Sequence, residues 1–403
     1  MNNPFFLVVL FIIAFFQQTL LQIFPAFSYC DELLTIWALY NICKYKLTKP
    51  LYLYMCLIIC ILVGIGVYSN YLSKYNRDIN VIIGDIGNCF KVFITFLGSS
   101  LYFIHNLSYQ RYEQFIRKAN EVSHCLLIVL GLLAFINLFM DIGMRPEYRY
   151  GIPCFSFIFV GSGNLAFLFY TLLIVQTMSL EFDKSLKNRL FILLAILVWL
   201  STLRSRVFLF IIFYGLLYWF IVYKNKIIRI SLPNVLIGVI LFYFVCYDQA
   251  QVYLDNDATA RYNLLYVGYE LMIKYLPFGA GFGTFGTDAA AKYYSPVYYE
   301  YGLDNIYGLS PDDPAFAHDC YWPAIMGEFG ILGTMFFLIL VFCLFKLMFK
   351  FVHSELQLLV IIFVCFTQIV SSTATAVFFH YVTVWLMFFV AIILCHKNED
   401  NLV

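Results

Sequence analysis

His318 and Asp319, with Tyr321 just after them and Glu328 one turn into the next apolar run, have the types and spacing to move a proton. An imidazole gives or takes a proton near neutral pH, and an adjacent carboxylate can orient or replace it. The plainer alternative is a polar boundary at the entrance of an apolar helix. A second group is Arg204, Arg206 and Arg261, all near the outer ends of apolar runs. Guanidinium groups stay charged and bind phosphate oxygens through paired donors, so two or three that converge would hold a pyrophosphate. Against this, each is an interfacial anchor or the partner of a nearby carboxylate. A third feature is the stretch Pro277–Gly286, PFGAGFGTFG. Gly281–Gly286 spells G-x-G-x-x-G, but no strand–helix unit surrounds it and no Lys-Ser/Thr follows, so neither a dinucleotide fingerprint nor a P-loop is implied. It is either a tight turn or a place where the backbone at Gly281 and Gly283 meets a phosphate or a sugar. Asp255-Asn256-Asp257 is a D-x-D with no further ligands; solvated loop carboxylates are the plainer account, as for Asp312 and Asp313.

These residues must be positioned by membrane helices. With 63% hydrophobic and 12% charged residues, a chain of 403 residues has too little polar surface for a soluble fold. A bilayer asks for roughly 20 apolar residues per helical span. Twelve candidate spans are predicted, near 5–23, 29–43, 51–69, 81–104, 125–140, 152–178, 190–203, 207–223, 232–247, 324–345, 356–373 and 379–395. With both termini cytoplasmic, every inner loop is positive, from Lys44, Lys46 and Lys49 through Lys224, Lys226 and Arg229 to Lys397. The first span lacks a basic leader and a small-residue cleavage site, so it reads as a span and not as a signal peptide. Most cysteines fall inside spans and imply neither disulfides nor a metal cluster. The net charge of +1 gives no hint of nucleic acid.

The expected architecture is a single all-α polytopic membrane domain over 1–403. It carries one large extracytoplasmic loop, 248–323, between the ninth and tenth spans, and loops of that length are usually functional. Within it, Arg261–Tyr275 has Leu264, Leu265, Val267, Leu271 and Met272 at helical spacing, ended by Pro277, and reads as an amphipathic helix suited to the outer membrane surface. Gly327, Gly330 and Gly333 in GEFGILG would admit another helix or a lipid.

The order of these features resembles the O-antigen polymerase and O-antigen ligase family of bacterial envelope proteins. Those have about twelve spans, an S-R pair opening a middle span, and a long periplasmic loop. That loop starts with an Arg-bearing helix, passes through a P-x-x-G-x-G turn and closes with H-[NSD] and E-x-G-x-x-G. Here Ser205-Arg206, Arg261, Pro277-Gly279-Gly281-Gly283, His318-Asp319 and Glu328-Gly330-Gly333 take those places. The first glycine comes one residue early and the last gap is one residue long. The resemblance spans the topology of the chain, but its motifs only from about 200 to 335.

The resemblance implies a GT-C-like inner-membrane glycosyltransferase without cofactor or metal. Its donor would be an undecaprenyl-pyrophosphate-linked oligosaccharide with the pyrophosphate at Arg206 and Arg261. His318 or Asp319 would act as base, with sugar or backbone contacts at Gly281, Gly283, Tyr321 and Glu328. A chain-length regulator protein would be a further partner. A ligase would share the donor and pass the glycan to lipid A core. A flippase or transporter is the alternative of another class; of the marks of one, only Asp85 and Lys91 inside a span are present, and no matching halves.

Overall fold

The computed structural model describes residues 2–47, 49–223 and 259–396. The predicted span 232–247, the D-x-D at Asp255–Asp257, and Lys224, Lys226, Arg229 and Lys397 lie outside the described residues. The described chain is helical almost throughout: α1 Pro4–Ile23, α2 Cys30–Lys44, α3 Pro50–Leu72, α4 Ile79–Asn106, α5 Tyr109–Phe139, α6 Ser162–Ser179, α7 Leu186–Leu200 and α8 Ser205–Tyr218. After the undescribed segment come α9 Ala260–Lys274, the short α10 Asp288–Lys292 and α11 Pro296–Glu300, then α12 Tyr321–Phe349, α13 Glu355–Ser372 and α14 Tyr381–Leu394.

Among the described residues, seven helices are long and apolar enough to cross a membrane. They are α1, α3, α4, α5, α12, α13 and α8 with its π-helical extension to Tyr223. This is an all-α membrane protein. The helices α2, α7 and α14 are shorter than a standard span, at 15, 15 and 14 residues. The predicted span 152–178 is reduced at its start. Helix α6 begins only at Ser162, and before it Tyr148–Arg149 pairs antiparallel with Ile152–Pro153. Pro153 and the left-handed residues Tyr150 and Gly151 suit that turn and not a helix.

A core of buried aliphatic and aromatic side chains runs through the bundle, with a smaller one under the loop centred on Leu264, Leu271, Phe285 and Tyr298. Helix α9 is capped by Thr259, whose hydroxyl accepts from the Tyr262 N–H. Its buried stripe, Leu264, Val267, Gly268 and Leu271, packs on α12. The amphipathic face predicted for the membrane surface therefore covers a neighbouring helix.

What the GEFGILG glycines admit is the chain's own Pro277–Gly286 turn. Gly330 has φ 61 and ψ −164, so α12 breaks there and frees carbonyls from its ladder. Ala280 N–H donates to Gly327 O and Gly281 N–H to Glu328 O, each at 2.8 Å, and Leu332 N–H donates back to Pro277 O at 3.1 Å. A Cβ on Gly279 would lie 2.4 Å from Gly330 N, and one on Gly330 would lie 2.5 Å from Pro277 O. Only glycine permits both the approach and the positive φ.

Candidate functional site

One polar cavity of about 750 Å³ is bounded by the starts of α2, α8, α9 and α14, the middle of α4 and the end of the loop. Arg206, Arg261, His318 and Asp319, four residues singled out from the sequence, all line it. His318 and Asp288, with side chains 44% and 56% exposed, mark its mouth. Asp31 and Lys91, at 2% and 8%, mark its floor.

The cations on its wall differ in how far they are already neutralised. Arg204 donates to Glu147 at 2.6 Å and to the Ser162 hydroxyl at 2.9 Å, and Arg149 reaches the other Glu147 oxygen at 3.0 Å. Burial pushes the Glu147 carboxyl up, but Ser162, Arg204 and Arg149 together hold it below the usual range. Arg204 is thus the partner of a carboxylate, and its role is to fasten the hairpin to the start of α6. Arg261 grips Asp319 with both Nε and Nη2 on one carboxylate oxygen, Nε at 2.9 Å. Arg206, by contrast, forms no ion pair among the described residues. Its guanidinium lies 4.2 Å from the centre of the Phe167 ring. Its charged neighbours include Asp319 and the cations Arg261 and Arg149.

His318 Nε2 lies 3.6 Å from an Asp288 oxygen, outside hydrogen-bond distance and an ion pair only when the ring is protonated. Phe167 also stacks on His380, centroids 5.3 Å apart, so the same ring serves Arg206 and the start of α14. His380 Nδ1 accepts from Val382 N–H, which leaves Nε2 as the protonated nitrogen of the neutral ring.

The sugar or backbone contacts expected at Gly281, Gly283, Tyr321 and Glu328 are not at this cavity. The Gly283 N–H donates to Asp85 Oδ2 at 2.7 Å, and Thr284 and Phe285 N–H donate to Glu328 Oε1 at 2.9 and 3.1 Å. The turn's amides are therefore taken up by the protein's own carboxyl groups, Asp85 and Glu328. Glu328 and Tyr321 are both fully buried, Tyr321 between Phe378 and Phe379. The ligand atoms of Asp85, Cys89 and Glu328 come within 4.8 Å of one another, the one such grouping among the described residues that could hold a metal ion. It lies apart from the cavity lining.

Lys91 is the span residue that the sequence marked only as an intramembrane charge; its partner Asp31, together with Gln17 and His380, had no motif to announce it. The available signal was an ionisable residue inside an apolar run, at Lys91 in the middle of α4 and at Asp31-Glu32 in the first turn of α2. No protein-family model matches this chain, and no curated protein matches it either.

Proposed function

We propose that this chain is an O-antigen or surface-polysaccharide polymerase of the bacterial inner membrane. In this reading it transfers an undecaprenyl-pyrophosphate-linked glycan to the non-reducing end of another lipid-linked repeat unit. The observation that carries the reading is Arg206: a cation in a cavity among membrane helices, stacked on Phe167 and without an ion-pair partner among the described residues. A charge in such a place is costly unless something anionic completes it. A pyrophosphate meets that need, and Arg261 lines the same cavity.

The acceptor hydroxyl oxygen attacks the anomeric carbon of the donor. A glycosidic C–O bond forms as the bond to the pyrophosphate oxygen breaks, and the electron pair leaves with undecaprenyl pyrophosphate. The arginines stabilise that leaving group, the part that a metal ion plays in other transferases. The hydroxyl proton passes to a base. Of the two candidates, His318 is better placed, because Asp319 is committed to Arg261 while His318 lines the cavity mouth without such a bond to an arginine.

Deleting the gene tests the reading. Single repeat units on the lipid carrier are expected in place of polymer, with restoration by the wild-type gene. Unchanged polymer length would overturn it, and full-length polymer stranded on the carrier would point to ligation instead.

A further inference from the structure

The floor of the cavity is built differently from its arginine wall. Lys91 reaches Asp31 Oδ2 at 3.1 Å, and Gln17 Nε2 donates to Asp31 Oδ1 at 3.1 Å. Gln17 is held in turn by the Trp385 indole N–H. Gln18 and Glu32 line the same floor, adding an amide and a carboxyl to its donors and acceptors.

The mixture of charges narrows the ligand. A bare anion meets Asp31 and Glu32, and a bare cation meets Lys91. A neutral polyol suits both. Each carboxylate oxygen takes two hydrogen bonds and an ammonium gives three, so Asp31 and Lys91 keep capacity beyond their mutual bond. Vicinal hydroxyls of a sugar ring both donate and accept at that spacing, and Tyr381, stacked on His380, lines the same cavity.

We infer that the Gln17–Asp31–Lys91 floor, with Gln18, is a second subsite that binds the non-reducing-end sugar of the acceptor, across the cavity from the pyrophosphate held at Arg206. This rests on the polymerase reading and assigns the two substrates to opposite walls. The acceptor hydroxyl then faces the donor's anomeric carbon between them.

The test uses the purified full chain in lipid nanodiscs and two probes. One is undecaprenyl pyrophosphate. The other is the repeat-unit oligosaccharide released by mild acid from the carrier lipid of cells that lack the gene; it has the acceptor end but no pyrophosphate. Asp31→Asn and Gln18→Ala are each expected to weaken oligosaccharide binding about tenfold, the loss of one or two hydrogen bonds, while undecaprenyl pyrophosphate binds as to wild type. Arg206→Lys is expected to do the reverse. If wild type binds both probes and neither floor variant changes oligosaccharide binding, the subsite is overturned and the polymerase reading stands. If wild type binds neither probe, both fall. Gln18→Ala lies outside the ion pair, so it supplies the readout even where Asp31→Asn fails to insert.

Discussion

The four arginines of the cavity show why residue type alone does not assign a role. Arg149 and Arg204 share Glu147, Arg261 holds Asp319, and Arg206 rests on a ring. The Ser-Arg pair singled out Arg206 and the loop helix Arg261, but nothing local in the sequence links Arg204 to a glutamate on the far side of a hairpin. Geometry also separates the outcomes of mutation. Arg206→Lys keeps the charge but loses the planar fork and the stacking on Phe167, so the proposed polymerisation should fall roughly tenfold to a hundredfold at unchanged protein level. Arg204→Ala should instead act on stability, because it takes one of two guanidinium partners from Glu147, which keeps Arg149 and the Ser162 hydroxyl, and removes Arg204's own bond to Ser162; a loss of about 1–3 kcal/mol is expected. Polymer length distributions set beside thermal melting of the purified variants separate the two. Equal loss of activity at both positions with normal melting would mean a diffuse basic patch.

At the scale of elements, the helices were legible because apolar run length is a direct consequence of bilayer thickness. The turn at Pro277–Gly286 was legible as a turn. Its docking into a broken α12 was not, since the break depends on Gly330 and Gly279 meeting face to face, residues far apart in the chain. Gly330→Ala would combine a strained positive φ, about 1–3 kcal/mol, with an overlap on the Pro277 carbonyl. A marked drop in melting temperature is expected; a variant that melts like wild type would show that the turn is not seated there. A second fastener is Glu300 at the end of α11, which accepts from Lys74 and Lys274 at 2.8 Å and from the Tyr75 hydroxyl at 2.6 Å. Burial pushes this carboxyl up, yet those three donors bring it down to about 2, against an ordinary value of 4.5. A carboxyl with a lowered folded-state pKa stabilises fully above its unfolded value and loses that contribution as pH falls toward the folded one. Glu300→Gln should therefore melt below wild type at pH 7, with the gap closing between about pH 4.5 and pH 2. A gap that persists unchanged at pH 2 would assign the effect to packing rather than charge.

For the whole molecule, the side of the membrane that the cavity mouth faces is set by segments that are individually short. Helix α7 has 15 residues and α14 has 14, about 22 Å of helix each at 1.5 Å per residue, against a hydrocarbon core of roughly 30 Å. Composition alone does not decide whether such helices cross, but charge does bear on it. Positive residues gather at Lys44–Lys49, Arg111–Lys118, Lys184–Arg189 and Lys224–Arg229, the turns that a twelve-span path puts inside. If α5, α6, α7 and α8 all cross, as the twelve-span path has it, the chain returns after α8 to the side on which Asn106 lies. The side occupied by Asp288 and His318 is then set by the apolar run 232–247. If that run crosses, reporter fusions after Asn106 and Ser185 read cytoplasm and one after Ser310 reads the outside. Because a lipid-linked glycan is polymerised from the outer leaflet in this reading, a cytoplasmic signal at Ser310 would leave the donor's pyrophosphate on the wrong side of Arg206. An outside signal at Ser185 would break the parity earlier, at α5 or α6, and the arginine wall would then have to be assigned to a different substrate.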